Sequence, residues 1–145
     1  MIKSINILVL IVLVIVNGIT SCVINQDSIP ILFGKDQCEF CKMTISNPKF
    51  GAELITDKGR ILKYDALECM VNHLKEEAPP YQKLFAIPYD LPKELKPVDE
   101  LYFLISIDFR SPMGANLAAF SKKTFLEEKY HSQLMNWNDL LHSSK

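Results

Sequence analysis

The sequence predicts an α+β protein made of two small, similar β-β-α-type subdomains joined by a proline-rich connection, following a cleaved lipoprotein signal peptide. Three observations carry this expectation. Two alternating runs, 51–56 and 60–65, flank the turn residues Asp57-Lys58-Gly59 and lead into apolar residues at helical spacing. Five of the eight prolines fall within residues 78–97. A second strand-like pair, 101–107 and 117–120, is then followed by another helical stretch. The expected divisions are a signal peptide over 1–21, a tether over 22–37, a first subdomain over 38–77, the connection over 78–99 and a second subdomain over 100–145.

Signal peptide and tether come first. The chain has 145 residues, 48% hydrophobic and 23% charged, with a net charge of −1. This composition excludes wholesale disorder, and the charge balance provides no concentrated basic face for nucleic acid. The apolar residues are unevenly spread: between Ile5 and Val16 only Asn6 is not Ile, Leu or Val. Lys3 precedes this stretch and Asn17-Gly18-Ile19-Thr20-Ser21 follows it. It falls short of the roughly 20 apolar residues needed to cross a bilayer core, so it reads as a secretory leader. Ile19-Thr20-Ser21-Cys22 resembles a bacterial lipobox, which makes Cys22 the expected lipidation site and places the body at the cell envelope, on the periplasmic or outer side of the membrane. Removing residues 1–21 leaves 124 residues with a net charge of −2, and with Cys22 committed to lipid three cysteines are left, Cys38, Cys41 and Cys69. An odd number in an exported chain argues for a working thiol over a disulfide framework.

In the first subdomain Asp65, with Glu68 three residues on, forms a capping-box pattern, and Leu67, Met70, Val71 and Leu74 mark the core face of a helix. Cys69 and His73 lie together on the other face. Cys69 then either faces the Cys38–Cys41 turn or packs against the second subdomain. The prolines of the connection are expected to forbid a regular helix or a central strand. In the second subdomain Ser121 is expected to cap a helix running to about Tyr130, and 133–137 to return as a strand. Leu62-Lys63-Tyr64-Asp65-Ala66-Leu67 and Met135-Asn136-Trp137-Asn138-Asp139-Leu140 echo one another, consistent with a duplicated unit.

The chemistry concentrates in Cys38-Glu39-Phe40-Cys41-Lys42-Met43. Two cysteines separated by two residues can close a disulfide ring or aim both sulfurs at one metal ion. If the chain is extended from Cys41, that thiolate and the Met43 thioether point the same way, a soft pair suited to Cu(I) rather than Mg²⁺ or Ca²⁺. Pro112-Met113-Gly114 presents a further methionine between two turn formers. The spacing Cys38-x₂-Cys41 with Cys69-x₃-His73 also matches a tetrahedral zinc site, so zinc is the alternative cofactor, in a structural interaction lipoprotein. A third alternative, a thiol-disulfide oxidoreductase using Cys38 and Cys41, is disfavoured because such pairs usually open a helix and this one precedes extended sequence. His131 and His142 are lesser candidate ligands. No Ser-His-Asp set, phosphate-binding glycine loop or paired carboxylates occur, so no enzyme activity is expected.

These residues resemble a known family. Cys22, Cys38-x-x-Cys41-x-Met43, the hairpin Gly51-Ala52-Glu53-Leu54 to Leu62-Lys63-Tyr64-Asp65, Glu68-Cys69-Met70, and Pro112-Met113-Gly114 before Ala119-Phe120 resemble NosL, the copper-binding lipoproteins associated with nitrous oxide reductase maturation. The first half also resembles the TRASH/YHS metal-binding modules, whose pattern ends in C-x₃-C; here Asp65 takes the first of those places and Cys69 the second. The resemblance implies a monomeric Cu(I) carrier with Cys41, Met43 and Met113 as ligands and Cys38 and Cys69 behind them. It implies apo nitrous oxide reductase, or its membrane assembly complex, as partner.

Overall fold

The first alternating segments form β1 (Ala52–Thr56) and β2 (Ile61–Tyr64) in the computed structural model, which describes residues 27–123 and 126–143. The expected signal peptide and Cys22 lie outside the described residues. The two strands pair antiparallel with Leu54 opposite Leu62 and Glu53 opposite Lys63, and Gly59 takes the left-handed conformation (φ 78°) that closes the turn.

Helix α1 (Leu67–Glu76) follows, but its start differs from the expected capping box. Ala66 occupies the cap position with no side-chain cap bond. The Asp65 carboxylate instead accepts the Ser46 backbone N–H at 3.2 Å, and Glu68 turns away toward Ser111. Nor does the helix divide into a core face and an open face: Leu67, Glu68, Cys69, Met70, Val71 and His73 are all buried. It packs on β1 and β2 and also on a strand of the second half.

The proline-rich stretch corrects a second expectation, since it contains a strand. β3 (Tyr81–Ala86) occupies the proline-free run between Pro80 and Pro88 and lies between β1 and the short β4 (Lys96–Pro97), giving the order β2-β1-β3-β4. Pro97 sits on the outermost strand, where its missing N–H interrupts no ladder. The sheet is antiparallel throughout.

In the second half β5 (Tyr102–Ile105) pairs antiparallel with β6 (Leu117–Phe120). The Tyr89 N–H donates to the Ala119 carbonyl at 2.7 Å and links the two sheets. One buried cluster runs through both, from Leu54, Tyr64 and Met70 to Phe103, Phe120 and Leu140. The helix expected from Ser121 is shorter than predicted: the Ser121 hydroxyl donates to Asp90 Oδ2 at 2.7 Å, and α2 covers only Glu127–Tyr130, with 124 and 125 outside the described residues. The expected strand 133–137 reduces to a single bridge between Phe103 and Met135. Trp137 instead opens α3 (Trp137–Ser143), where Asn136 Oδ1 accepts the Asp139 N–H at 2.9 Å and Asp139 Oδ2 accepts the Asn136 N–H at 3.2 Å. The reciprocal cap thus sits in the echo segment, not at Asp65.

Part of the expected tether belongs to the folded body. Ile31 is buried, the Ile29 N–H donates to Glu53 Oε1 at 3.2 Å, and Lys63 Nζ donates to the Pro30 carbonyl at 3.1 Å. Among the described residues no helix is long and apolar enough to cross a membrane.

Candidate metal centre

Cys38 and Cys41 lie on a tight reversal closed by a bridge between Gln37 and Thr44. The Cys38 N–H donates to the Met43 carbonyl at 2.8 Å, and the Lys42 N–H donates back to the Cys38 carbonyl at 3.0 Å. Lys42 adopts a left-handed φ of 62°. That reversal removes the extended geometry on which a shared direction for Cys41 and Met43 depended: Cys41 is half-buried, whereas Met43 is 50% exposed. The turn is fixed to β2 by the Glu39 N–H, which donates to the Lys63 carbonyl at 2.8 Å.

Cys69, in the first turn of α1, completes a cluster. The sulfurs of Cys38, Cys41 and Cys69 all lie within 4.8 Å of one another. With metal–thiolate bonds of about 2.3 Å, three sulfurs around one ion lie about 4 Å apart, so small side-chain adjustments close the set. Cys38 and Cys69 are each 1% exposed, and Cys41 alone of the three faces outward. Of the two sequence-derived placements for Cys69, the structure realises the one beside the cysteine turn. The turn does not open a helix, as a redox pair usually would.

The electrostatics separate the three sulfurs. A hydrogen bond from the Cys69 thiol, helped by backbone N–H groups of Asp65, Cys41 and Phe40, outweighs burial and brings the Cys38 thiol down to about 5. Cys69 moves upward because it holds that proton against Cys38 and is itself buried. Cys41 is raised by burial and by the neighbouring Cys38 sulfur, against a pull from the Met43 N–H. The three sulfurs are therefore unequal, with the thiolate favoured at Cys38 and the proton at Cys41 and Cys69, and a cation bound by all three must displace the protons they hold.

His73, the fourth member of the zinc alternative, does not join the cluster. Its Nδ1 lies 2.7 Å from the Tyr64 hydroxyl and its Nε2 lies 3.2 Å from Glu77. Its ring also packs on Phe40, with centroids 6.2 Å apart. His142 is exposed at the end of α3, and the side chain of His131 lies outside the description. Met113 is 42% exposed on the loop after β5, where Gly114 takes a left-handed φ of 80° and its N–H donates to the Ser111 carbonyl at 3.1 Å.

One participant was misread in the sequence. Glu68 is 5% exposed, and its Oε1 accepts a hydrogen bond from the Ser111 hydroxyl. Burial raises its carboxyl, while the Ser111 hydroxyl and the backbone N–H groups of Glu68, Ala115 and Met113 draw it down. The signal was its place between Leu67 and Cys69 in a run buried on every side, which a capping-box interpretation conceals.

No family model and no curated protein sequence matches the chain. Among solved structures it is similar to the crystal structure of the copper chaperone NosL from Shewanella denitrificans, with 15% identity and a TM-score of 0.67 over 78% of this chain and 94% of that one. At that identity the likeness concerns architecture, and the chain therefore has a NosL-like α+β fold.

Proposed function

We propose that this protein is a membrane-tethered Cu(I) carrier, anchored through Cys22, that holds one ion on sulfur and passes it to an exported copper enzyme. The observation that carries this reading is the cluster of Cys38, Cys41 and Cys69, with two sulfurs sealed in the core and one facing outward. An all-sulfur donor set suits a soft monovalent ion, and the single outward sulfur, that of Cys41, is where a partner's ligand can enter. Transfer then proceeds by exchanging soft ligands one at a time, with no bond-making catalysis. Met43 and Met113, both exposed, are the thioethers through which the ion enters and leaves alongside Cys41. The likeness to a copper chaperone supports the same reading, and nitrous oxide reductase, or its membrane assembly complex, is the proposed recipient at the envelope.

The test is an anaerobic titration of the reduced full chain in detergent with Cu(I) against a competing chelator. Tight one-to-one binding that is lost in the Cys41→Ser, Met113→Leu double variant is the expected result; equal affinity in the two proteins refutes it. The three cysteines would also accept zinc, but that alternative lacks its fourth ligand, since both His73 nitrogens are engaged elsewhere. Zinc that co-purifies in stoichiometric amount, and whose removal unfolds the protein, would favour it.

A further inference from the structure

We infer that Glu68 is a positioning residue for the metal centre: its carboxyl group fastens the loop 111–115, and with it Met113, to the helical turn that carries Cys69. The inference rests on the proposed reading of Met113 as a copper ligand.

Glu68 and Cys69 are adjacent in the first turn of α1, so whatever Glu68 holds is held in register with one of the three clustered sulfurs. What it holds is the methionine loop. Its Oε1 accepts from the Ser111 hydroxyl, whose oxygen in turn accepts the Asn116 N–H at 2.9 Å. The backbone N–H groups of Met113 and Ala115 also face the carboxyl group. Among the described residues Oε2, which is buried, finds no hydrogen-bond partner. A buried carboxyl group is costly unless its partners compensate. Here those partners come largely from one loop, and among the described residues no cation pairs with it.

The arrangement has a clear mechanical consequence. The loop projects a thioether that is 42% exposed, and Gly114 at its tip supplies the left-handed turn. An exposed methionine on a free loop would lose considerable rotational and backbone entropy on ligating an ion. Anchoring the loop to Glu68 through Ser111, two residues before Met113, removes part of that cost beforehand. Partners that orient a ligand in this way typically contribute about 10–100-fold in metal affinity.

The test uses the full chain and Cu(I) alone. Glu68→Ala is expected to weaken Cu(I) binding by about 10–100-fold and to remove one sulfur from the copper shell seen by X-ray absorption. Glu68→Gln, which keeps an oxygen acceptor for the Ser111 hydroxyl, is expected to restore most of the affinity. In a Met113→Leu background Glu68→Ala should cause no further loss, because the residue it positions is gone. Should Glu68→Ala fail to fold, Ser111→Ala cuts the other end of the same bond and is expected to behave alike. An undiminished loss in the Met113→Leu background, or no loss in either single variant, overturns the positioning role. A wild-type chain that does not bind Cu(I) refutes the proposed function and this inference with it, whereas binding that persists unchanged without Glu68 refutes the inference alone.

Discussion

The hydroxyl of Tyr64 and Nδ1 of His73 lie 2.7 Å apart in the core, and that contact removes the imidazole from the available metal donors. His73 acts as a packing and hydrogen-bonding residue, its ring set at a tilt against those of Phe40 and Tyr64. His73→Leu is therefore expected to leave metal affinity unchanged while lowering stability by about 1–3 kcal/mol, because the buried Tyr64 hydroxyl loses its partner. Denaturant unfolding beside a metal titration checks both halves.

Cys69 presents the opposite case. Its sulfur belongs to the cluster, and its proton is displaced if a cation takes all three thiolates. Cys69→Ser should weaken Cu(I) binding by more than the roughly 10–100-fold typical of losing an orienting neighbour. It should also reduce the protons released on loading, measured in weakly buffered solution.

Glu53 gives the fold its own pH dependence. It is fully buried on β1, and burial pushes its carboxyl up to about 7 against the pull of the Ile29 N–H and of Lys63. Between the ordinary value of 4.5 and about 7 the folded chain keeps this proton and the unfolded chain does not. Stability contributed by the protonated form is therefore lost as pH rises through that window, by about 3 kcal/mol in all. Glu53→Gln should flatten this slope in unfolding curves collected across the same range.

Gly51 sits where the N-terminal segment crosses the sheet. A Cβ there would meet Ile31 Cδ1 at 2.8 Å and Ile87 Cδ1 at 3.1 Å. Both are ends of flexible side chains, so Gly51→Ala should cost about 1–3 kcal/mol without abolishing folding. Ile31→Val, by removing the nearer methyl, should recover part of the loss in a double-mutant comparison of melting temperatures.

The first hairpin and α1 were legible because their signals are local: alternation, a glycine turn, and apolar residues at helical spacing. The tri-cysteine pairing was only half legible. Spacing suggested Cys38 with Cys41, but Cys69 could be placed beside them only by the packing of α1 on the turn. The expectations that failed did so where long-range packing outweighed a local pattern. Asp65 and Glu68 form a capping box by sequence, yet Ser46 and Ser111 compete for those carboxyl groups from distant segments. β3 was hidden because the density of prolines around it masked a clean run, Tyr81 to Ile87, that satisfies both neighbours. The Lys42 backbone reversal, which separates Cys41 from Met43, has no glycine to announce it.

Docking of the N-terminal segment onto β1 and β2 sets a length scale for the proposed anchor. The folded body begins by Ile29, where the backbone is bonded to Glu53. Seven residues lead from Cys22 to that point, and a chain of that length reaches roughly 25 Å at full stretch. A lipid on Cys22 would thus leash the carrier to a thin layer just above the headgroups. Under the proposed function a recipient would have to offer its empty copper site within that layer, and diffusion in the plane of the membrane, rather than through the surrounding volume, would set how often the two meet.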